Sequence, residues 1–531
     1  MVPNLLGLPP EVLHAILRNI DPQDLARLCC CRTLYDFIKN DWLLYKELYL
    51  RNFDAPSGSD NLSWSTELKR LVDYQKILES KDHDLKAAQW QAVAQCTEDL
   101  LKTAAVGIQP SLNITFLTKM FESQQNKDTF LCGSLLFDWA KAESWGDLTS
   151  TRIPREMHSM IANFESDTSV IQPADMSNEA FAEALEADPL RIISCHSHLP
   201  PEKNVQPLVP TRTFQERQLS AKLHCLYGVC IDTIRRDRVA TSRYPLRKGV
   251  VSIHPYARSR VYDLRQHTDG TMWGPFLDDG LATVDWEKME AIMVVLDYNT
   301  KLATGDDKDY QGCLETQTKP FFGVTPNSYI STPMSVPMQP PLPLEAQDPY
   351  NITGNWMRIV CFLDYAELYD FNFNSEDSPE DGQPRRPIDT QEAIRLITMK
   401  LQVTKIAAPG EDDGQGLPVV HFHGTSASNR PHWDPNANSK IKGSVRLTRE
   451  GEVRWTSFSV YHGEERWRSE GIQIGGVRSA RGVLGYWFDK DHDLHGPAGP
   501  TAFWKSHDRI EEKKPTTRDH PPLNVFNYSL Y

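Results

Sequence analysis

Apolar positions in the first fifty residues recur at helical spacing. Val12, Leu13, Ile16, Leu17 and Ile20 fall on one stripe. Pro9 and Pro10 precede it, where a missing N–H costs little, and Glu11 sits where the positive end of a helix dipole favours an acid. Asp21 reads as an N-cap, with Pro22 at the first helical position and Asp24 three residues after the cap. Leu25, Leu28 and Cys29 continue the buried face of this second helix. Asn40 or Asp41 suits the cap of a further helix carrying Trp42, Tyr45, Leu48 and Tyr49. Residues 1–53 are therefore expected to fold as three or four short helices. A unit near this size has a marginal core of its own, so it needs a further surface to bury against. Periodicity serves an ordinary cap on the same chain and a docking module equally well.

After the polar break at Asp54-Ala55-Pro56-Ser57-Gly58-Ser59, helical spacing continues over residues 60–226. Leu68, Leu71, Val72, Tyr74, Leu85, Trp90, Val93, Cys96, Leu100 and Leu101 build successive faces. LTKMFESQQN, FLCGSLLFDWAKAESW, SNEAFAEALEADPLRIIS and ERQLSAKLHCLYGV have the same character, with no fixed period, which favours a helical spacer over a repeat array. Over residues 227–508 the pattern changes to short β-rich runs bounded by Gly, Pro, Asn and Asp. SRVYDLR, EAIMVVLDYN, WMRIVCFLDY, PVVHFHG, RWRSEGIQIGG and ARGVLGYWFDKD each read as a strand or hairpin. Alternation of Val445 and Leu447, then Val453, Trp455 and Phe458, across Arg449-Glu450-Gly451-Glu452 marks a hairpin. Loop-like inserts interrupt this region near 325–350, 374–388 and 409–416, and are expected to be disordered. A charged, then aromatic, tail occupies 509–531. The fold class expected is α+β multidomain, with N-terminal helices, a helical linker region and a mainly antiparallel β barrel or sandwich.

In order, Leu8, Pro9, Glu11, Val12, Leu13, Ile16 and Leu17, then Asp24, Leu25 and Leu28, resemble the F-box pattern. Many F-boxes carry a Val-Cys pair followed shortly by Trp, whereas this chain has Cys29, Cys30, Cys31 and Arg32, with Trp42 later. ARSRVYDLRQHTDGTMWGPF, DWEKMEAIMVVLDYN, GEVRWTSFSVYHGEERWRSEGIQIGG and GVLGYWFDKDHDLHGPAGPTAFWK resemble fungal F-box proteins with a large β-rich C-terminal domain. The resemblance implies a substrate-recognition subunit of an SCF (Skp-cullin-F-box) E3 ubiquitin ligase. Its partners would be a Skp adaptor and, through it, cullin and RING subunits, together with an unknown protein substrate. Leu8, Pro9, Glu11, Leu13, Ile16, Leu17, Leu25 and Leu28 would then meet the adaptor. An F-box scaffold acting outside a ligase, or a small-ligand-binding barrel, are the alternatives.

Composition narrows the class further. At 531 residues the chain suits about three domains. A hydrophobic content of 40% and an aromatic content of 10% suit packed domains. The formal charge of −14, with no basic stripe, argues against a nucleic-acid partner. No run reaches the ~18 apolar residues of a membrane span, and the N-terminus is a poor signal peptide, so no membrane partner is expected. Ten scattered cysteines lack the spacing of a disulfide framework, which points to a reducing, cytoplasmic or nuclear location. The sequons at Asn61, Asn113, Asn351 and Asn527 then read as chance matches.

Motifs for chemistry are sparse. Asp489, Asp491, His492, Asp493 and His495 lack the glycine and glutamate of a calcium loop, since Leu494 and Pro500 stand there. His421 and His423 share one side of a strand without a third ligand at a suggestive spacing. No nucleophile elbow, phosphate loop or zinc-protease motif occurs. The reading is therefore non-catalytic, with no cofactor and no metal. Aromatics and arginines concentrate in the β region, and Trp455, Arg466, Trp467 and Arg468 are the candidate substrate-binding residues.

Overall fold

The computed structural model describes residues 7–29, 31–56, 62–104, 111–145, 212–228, 231, 233–235, 250–306, 320–321, 343–374, 383–388, 390, 392–428, 438–477 and 479–507. The segment SNEAFAEALEADPLRIIS, most of the inserts at 325–350 and 374–388, and the tail at 509–531 lie outside the described residues.

Proline and aspartate set the N-terminal helices. Helix α1 (Pro10–Leu17) begins at Pro10 with Glu11 in its first turn. Asp21 accepts from the Gln23 N–H at 2.9 Å and opens a 3₁₀ turn, Pro22–Asp24, that runs into α2 (Leu25–Leu28). Helix α3 (Arg32–Asn40) is followed by α4 (Trp42–Asn52), and it is Asp41 that caps α4, accepting from the Leu44 N–H at 3.0 Å. Of the triple cysteine, Cys29 and Cys31 are half-buried packing residues, and Cys30 lies outside the described residues.

A helical layer follows: α5 (Trp64–Glu79), α6 (His83–Ala88), α7 (Trp90–Lys102), α8 (Leu112–Phe121), α9 (Gln124–Asn126), α10 (Leu135–Trp145) and α11 (Phe214–Tyr227). Its join to the N-terminal helices is dry and hydrogen-bonded. Tyr49 packs edge-on against Trp64, with ring centroids 5.4 Å apart, and the buried Asp54 carboxylate accepts from the Ser111 hydroxyl and the Leu112 N–H. A capping box at Thr213 and Glu216 starts α11, and Gly228 ends it in the left-handed conformation.

The next helices correct the sequence reading. SRVYDLR and EAIMVVLDYN, expected as strands, lie in α12 (His254–Val261) with the 3₁₀ turn Leu264–Gln266, and in α13 (Trp286–Asp306). Met289, Ala291, Ile292, Met293, Val294, Val295 and Leu296 are all buried, so this stretch of α13 has no solvent side and no amphipathic period. A short apolar run cannot distinguish a buried helix from a buried strand. Strands β1 (Thr233–Arg235) and β2 (Val250–Ser252) form a separate antiparallel pair.

After the short helix α14 (Leu344–Gln347) comes a closed antiparallel barrel. It comprises β3 (Gly354–Phe362), β4 (Ala393–Ala407), β5 (Val419–Ser428), β6 (Asn438–Leu447), β7 (Val453–Tyr461), β8 (Glu464–Gln473), β9 (Val483–Asp489) and β10 (Gly499–His507), with β10 pairing back to β3. Helix α15 (Tyr365–Tyr369) lies in the β3–β4 connection. The expected hairpin forms, with Leu447 opposite Val453. The connection near 409–416 is a hydrogen-bonded turn rather than the expected disordered loop, because Asp413 accepts from the Gly410 N–H and Gln415 donates to the Gly410 carbonyl. No described helix is long and apolar enough to cross a membrane.

Strand alternation gives the barrel two unlike faces. Met357, Ile359 and Cys361 of β3, with Leu484, Tyr486, Ala502 and Trp504, point outward into one core shared with α13 and the helical layer. Trp356, Phe422, Trp455 and Phe503 point inward and fill one end of the lumen, their rings meeting edge-on or tilted at 5.0–6.0 Å. Gly443 makes room for this plug, since a Cβ there would lie 2.6 Å from the Phe422 ring.

Buried ion pairs lock the barrel to the helices. Arg258 of α12 pairs at 2.9 Å with Glu392, just before β4, and Tyr262 and Asn299 complete that carboxylate's hydrogen bonds. Lys222 of α11 bridges Glu98 of α7 and Glu452 of the β6–β7 turn, both at 2.9 Å. Arg481, fully buried, donates to the Cys225 and Pro320 carbonyls at the C-terminal end of α11, where the helix dipole favours a cation. Gly228 has φ +67°, and a Cβ on it would lie 1.7 Å from Arg481 Nη2. Gly228→Ala is expected to lower stability by more than ~1 kcal/mol, through the strained φ and the displaced guanidinium. A lower denaturation midpoint at unchanged m-value checks this.

Candidate functional site

Two surfaces stand apart from the packing just described: the outside of the N-terminal helices and the open end of the barrel. On the first, the structure divides the predicted set. Leu13, Leu17 and Leu25 are only 2–7% exposed and hold α1 and α2 to the chain's own core, joined there by Leu34, Ile38, Leu44 and Leu48. In the chain by itself they are core residues rather than surface ones. Leu8 and Leu28 are half-buried, whereas Pro9, Glu11 and Ile16 are exposed. Ile16 is accompanied on the surface by Val12, Tyr35, Trp42 and Leu43, each more than 40% exposed. These four are not among the expected adaptor contacts, although the i, i+4 spacing of Val12 and Ile16 is legible beside that of Leu13 and Leu17.

Helix α1 is held against α4 by a polar clasp. His14 Nδ1 lies 2.6 Å from the Asp41 carboxylate, its Nε2 lies 3.2 Å from Glu47, and Arg51 donates to the Arg18 carbonyl. The hydrogen bond to Asp41 raises the His14 pKa above its ordinary 6.5, against the opposing effect of burial, with Glu47 assisting.

The second surface is the barrel mouth. Opposite the aromatic plug the lumen opens into a cup of about 250 Å³. Its wall carries Phe362, Trp467 and Trp487, and hydroxyls from Ser426, Ser459 and Tyr461. Trp467 and Trp487 meet edge-on at 5.4 Å, and the Trp487 indole N–H donates to the Cys361 carbonyl at 3.0 Å. Arg358 lies at the inner wall, only 6% exposed, with its Nε donating to the Thr501 hydroxyl at 3.0 Å. Arg395 stands exposed at the rim, its guanidinium 5.3 Å from the Phe362 ring centroid. Burial pulls the Arg358 guanidinium down to about 10, so it is cationic at neutral pH.

Of the four residues expected to bind substrate, only Trp467 lines this mouth. Trp455 is in the plug, 1% exposed, with its indole N–H bonded to Gln473. Arg468 faces outward and, with Arg454, pairs with the buried Glu470; burial pushes that carboxyl up, but the two arginines outweigh it and hold it below its usual range. Arg466 is exposed, its guanidinium 4.9 Å from the Trp467 ring centroid. Arg358 was missed, yet it stands on the otherwise apolar inward face of β3, between Trp356 and Val360.

The other candidate clusters serve the fold. His492 stacks on Trp273, and His495 lies against Tyr369 and Phe373, in the turn that follows β9. His421 and His423 point away from the lumen, and the neighbouring Arg446 and Lys405 add to burial in lowering the His421 pKa. Among the described residues, no group of three or more His, Cys, Asp or Glu side chains is placed to hold a metal ion.

Short capped helices, closed on inward leucines and presenting an apolar outer surface, define a helical docking module carried in front of a barrel. The F-box-like family model matches residues 5–51, the segment that forms this module, so the chain carries an F-box-like domain at its N-terminal end. F-box domains typically bind a Skp adaptor and act as non-catalytic adaptors in SCF-type complexes. Comparison with curated proteins and with solved structures gave no match.

The raised His14 pKa carries a pH prediction. The stabilisation it reports is fully present below pH 6.5 and is lost as pH rises through the higher folded-state value. The unfolding midpoint of the N-terminal helices should fall between about pH 6 and about pH 8, and His14→Gln should shrink that difference, as read by denaturant titration at the two pH values.

Proposed function

We propose that this chain is the substrate-recognition subunit of an SCF-type ubiquitin ligase. The F-box helices dock on a Skp adaptor, and the barrel, fixed behind them, presents a substrate protein to the conjugating enzyme that the cullin and RING subunits bring. The observation that carries this reading is the F-box-like match over residues 5–51, falling on a module whose core is closed and whose outer face still shows Val12, Ile16, Tyr35, Trp42 and Leu43. Large apolar groups clustered on a surface mark an interaction site. The chain's contribution to catalysis is proximity: a substrate lysine held near a charged thioester reacts at a high effective concentration.

The division between inward and outward residues makes the proposal testable. Val12→Asp and Ile16→Asp should abolish co-purification with a Skp adaptor while leaving thermal unfolding nearly unchanged, because both positions are exposed. Leu17→Ala should instead cost ~2–5 kcal/mol of stability, because it opens a cavity in the core. Adaptor binding that survives both aspartate substitutions would exclude this interface. Cullin co-purification, with substrate turnover that depends on Ile16, separates ligase work from scaffolding outside a ligase.

A further inference from the structure

The barrel mouth contains a charge that no described residue neutralises. Arg358 is nine-tenths buried, and its one described side-chain hydrogen bond uses Nε, to the neutral Thr501 hydroxyl. It forms no ion pair with any described residue, and none of the residues lining the cup is a carboxylate. Other inward-drawn arginines around the barrel have charged or dipolar partners: Arg258 pairs with Glu392, Arg454 with Glu470, and Arg481 is held by backbone carbonyls at the C-terminal end of α11. A buried cation without a counter-ion carries a desolvation cost of several kcal/mol, which a ligand anion relieves. With Nε occupied, the two Nη groups remain for the cup, in the planar geometry that suits a carboxylate.

Shape and charge narrow the ligand. The lumen is closed below by the plug of Trp356, Trp455 and Phe503, so the cup is blind and takes the end of a molecule. About 250 Å³ is slightly below the ~300–1,000 Å³ of drug-sized sites. Phe362, Trp467 and Trp487 supply an apolar wall for a stem, while one buried cation balances one negative charge. We propose that the barrel mouth binds the carboxylate end of a ligand with an apolar or aromatic stem, Arg358 taking the carboxylate and Trp467 and Trp487 flanking the stem. Two sources carry this chemistry, a free small acid and the C-terminus of a peptide chain. Neither requires the F-box to be engaged.

The test uses the full chain without adaptor, so its outcome is separate from that of the F-box interface. Calorimetric titration with 3-phenylpropionate and with the peptide Gly-Gly-Phe is compared with titration by 3-phenylpropionamide and by Gly-Gly-Phe amide. Each acid is expected to bind at least about tenfold more tightly than its amide, the cost of leaving the buried cation unpaired. Arg358→Met should weaken acid binding by at least the same factor and leave the melting temperature unchanged or higher, since it removes an uncompensated buried charge. Binding of 3-phenylpropionate alone identifies the small-acid source, and tighter binding of Gly-Gly-Phe identifies the chain-end source. Equal binding of acids and amides, or no binding of either acid, overturns the proposal. So does an Arg358→Met variant that folds and binds the acids undiminished. If that variant does not fold, the acid-to-amide ratio on the unaltered chain still decides.

Discussion

From Met289 to Leu296 every residue of α13 is buried, and one of the eight is a glutamate. A helix with no wet side has to be covered all round. Here α11 and α12 cover one side, and the outer face of β3, β9 and β10 covers the other. Each fully buried Val, Ile, Leu or Met contributes ~1.5–3 kcal/mol relative to exposure, so helices and barrel cannot part without exposing the largest apolar segment of the chain. Glu290 has to be satisfied within the same layer. It accepts from Ser134 and meets His224 Nδ1 at 2.7 Å, which ties α10 and α11 to the same helix. The barrel therefore has one face dedicated to packing, and its function is confined to the lumen and the remaining surface.

Local signals were legible where they were chemical or strictly periodic. Pro10, Asp21 and Asp41 start their elements as the sequence indicates, and the alternation around Val445 and Trp455 gives the hairpin and an antiparallel barrel or sandwich, of which the structure forms the barrel. What failed was α13 and α12, because a segment buried on all sides carries no period, and β-branched Val294 and Val295 bias the reading towards strand. The site was less legible than the fold. Periodicity tells which residues share a stripe but not which stripe faces the chain's own core. Leu13 and Leu17 were accordingly grouped with Ile16 on the docking face, although of the three only Ile16 is exposed. In the barrel, Trp455 and Trp467 look alike in sequence. Only the bulge between Ser459 and Val460 and the closure of β10 on β3 determine that one plugs the lumen and the other lines its mouth.

Arginines show the same limit from the electrostatic side. Arg258, Arg454, Arg468 and Arg481 are drawn into the fold by carboxylates or by a helix C-terminus, so their burial is accounted for by structure. Arg358 sits on an inward position with a threonine for company. A hydrophobic residue there would extend the plug by one layer and cost nothing in desolvation, so stability alone does not account for the arginine. Sites at which a chain gives up stability are expected to be functional ones.

The linkage between the two ends follows from where the buried polar groups lie. Proximity catalysis depends on the held geometry persisting, and a flexible tether dilutes the effective concentration that it supplies. The described residues join the two ends by packing. The F-box helices run into α5 through the packing of Tyr49 on Trp64, and Asp54 pins their exit to the start of α8. Lys222 then joins α7, α11 and the β6–β7 turn through two carboxylates on one ammonium. Removing one partner of such a triad leaves a buried charge unpaired, so sliding the barrel against the helical layer is disfavoured in every direction that breaks either contact. Among the described residues, the exposed face of α1 and the barrel mouth are thus joined through packed and ion-paired elements.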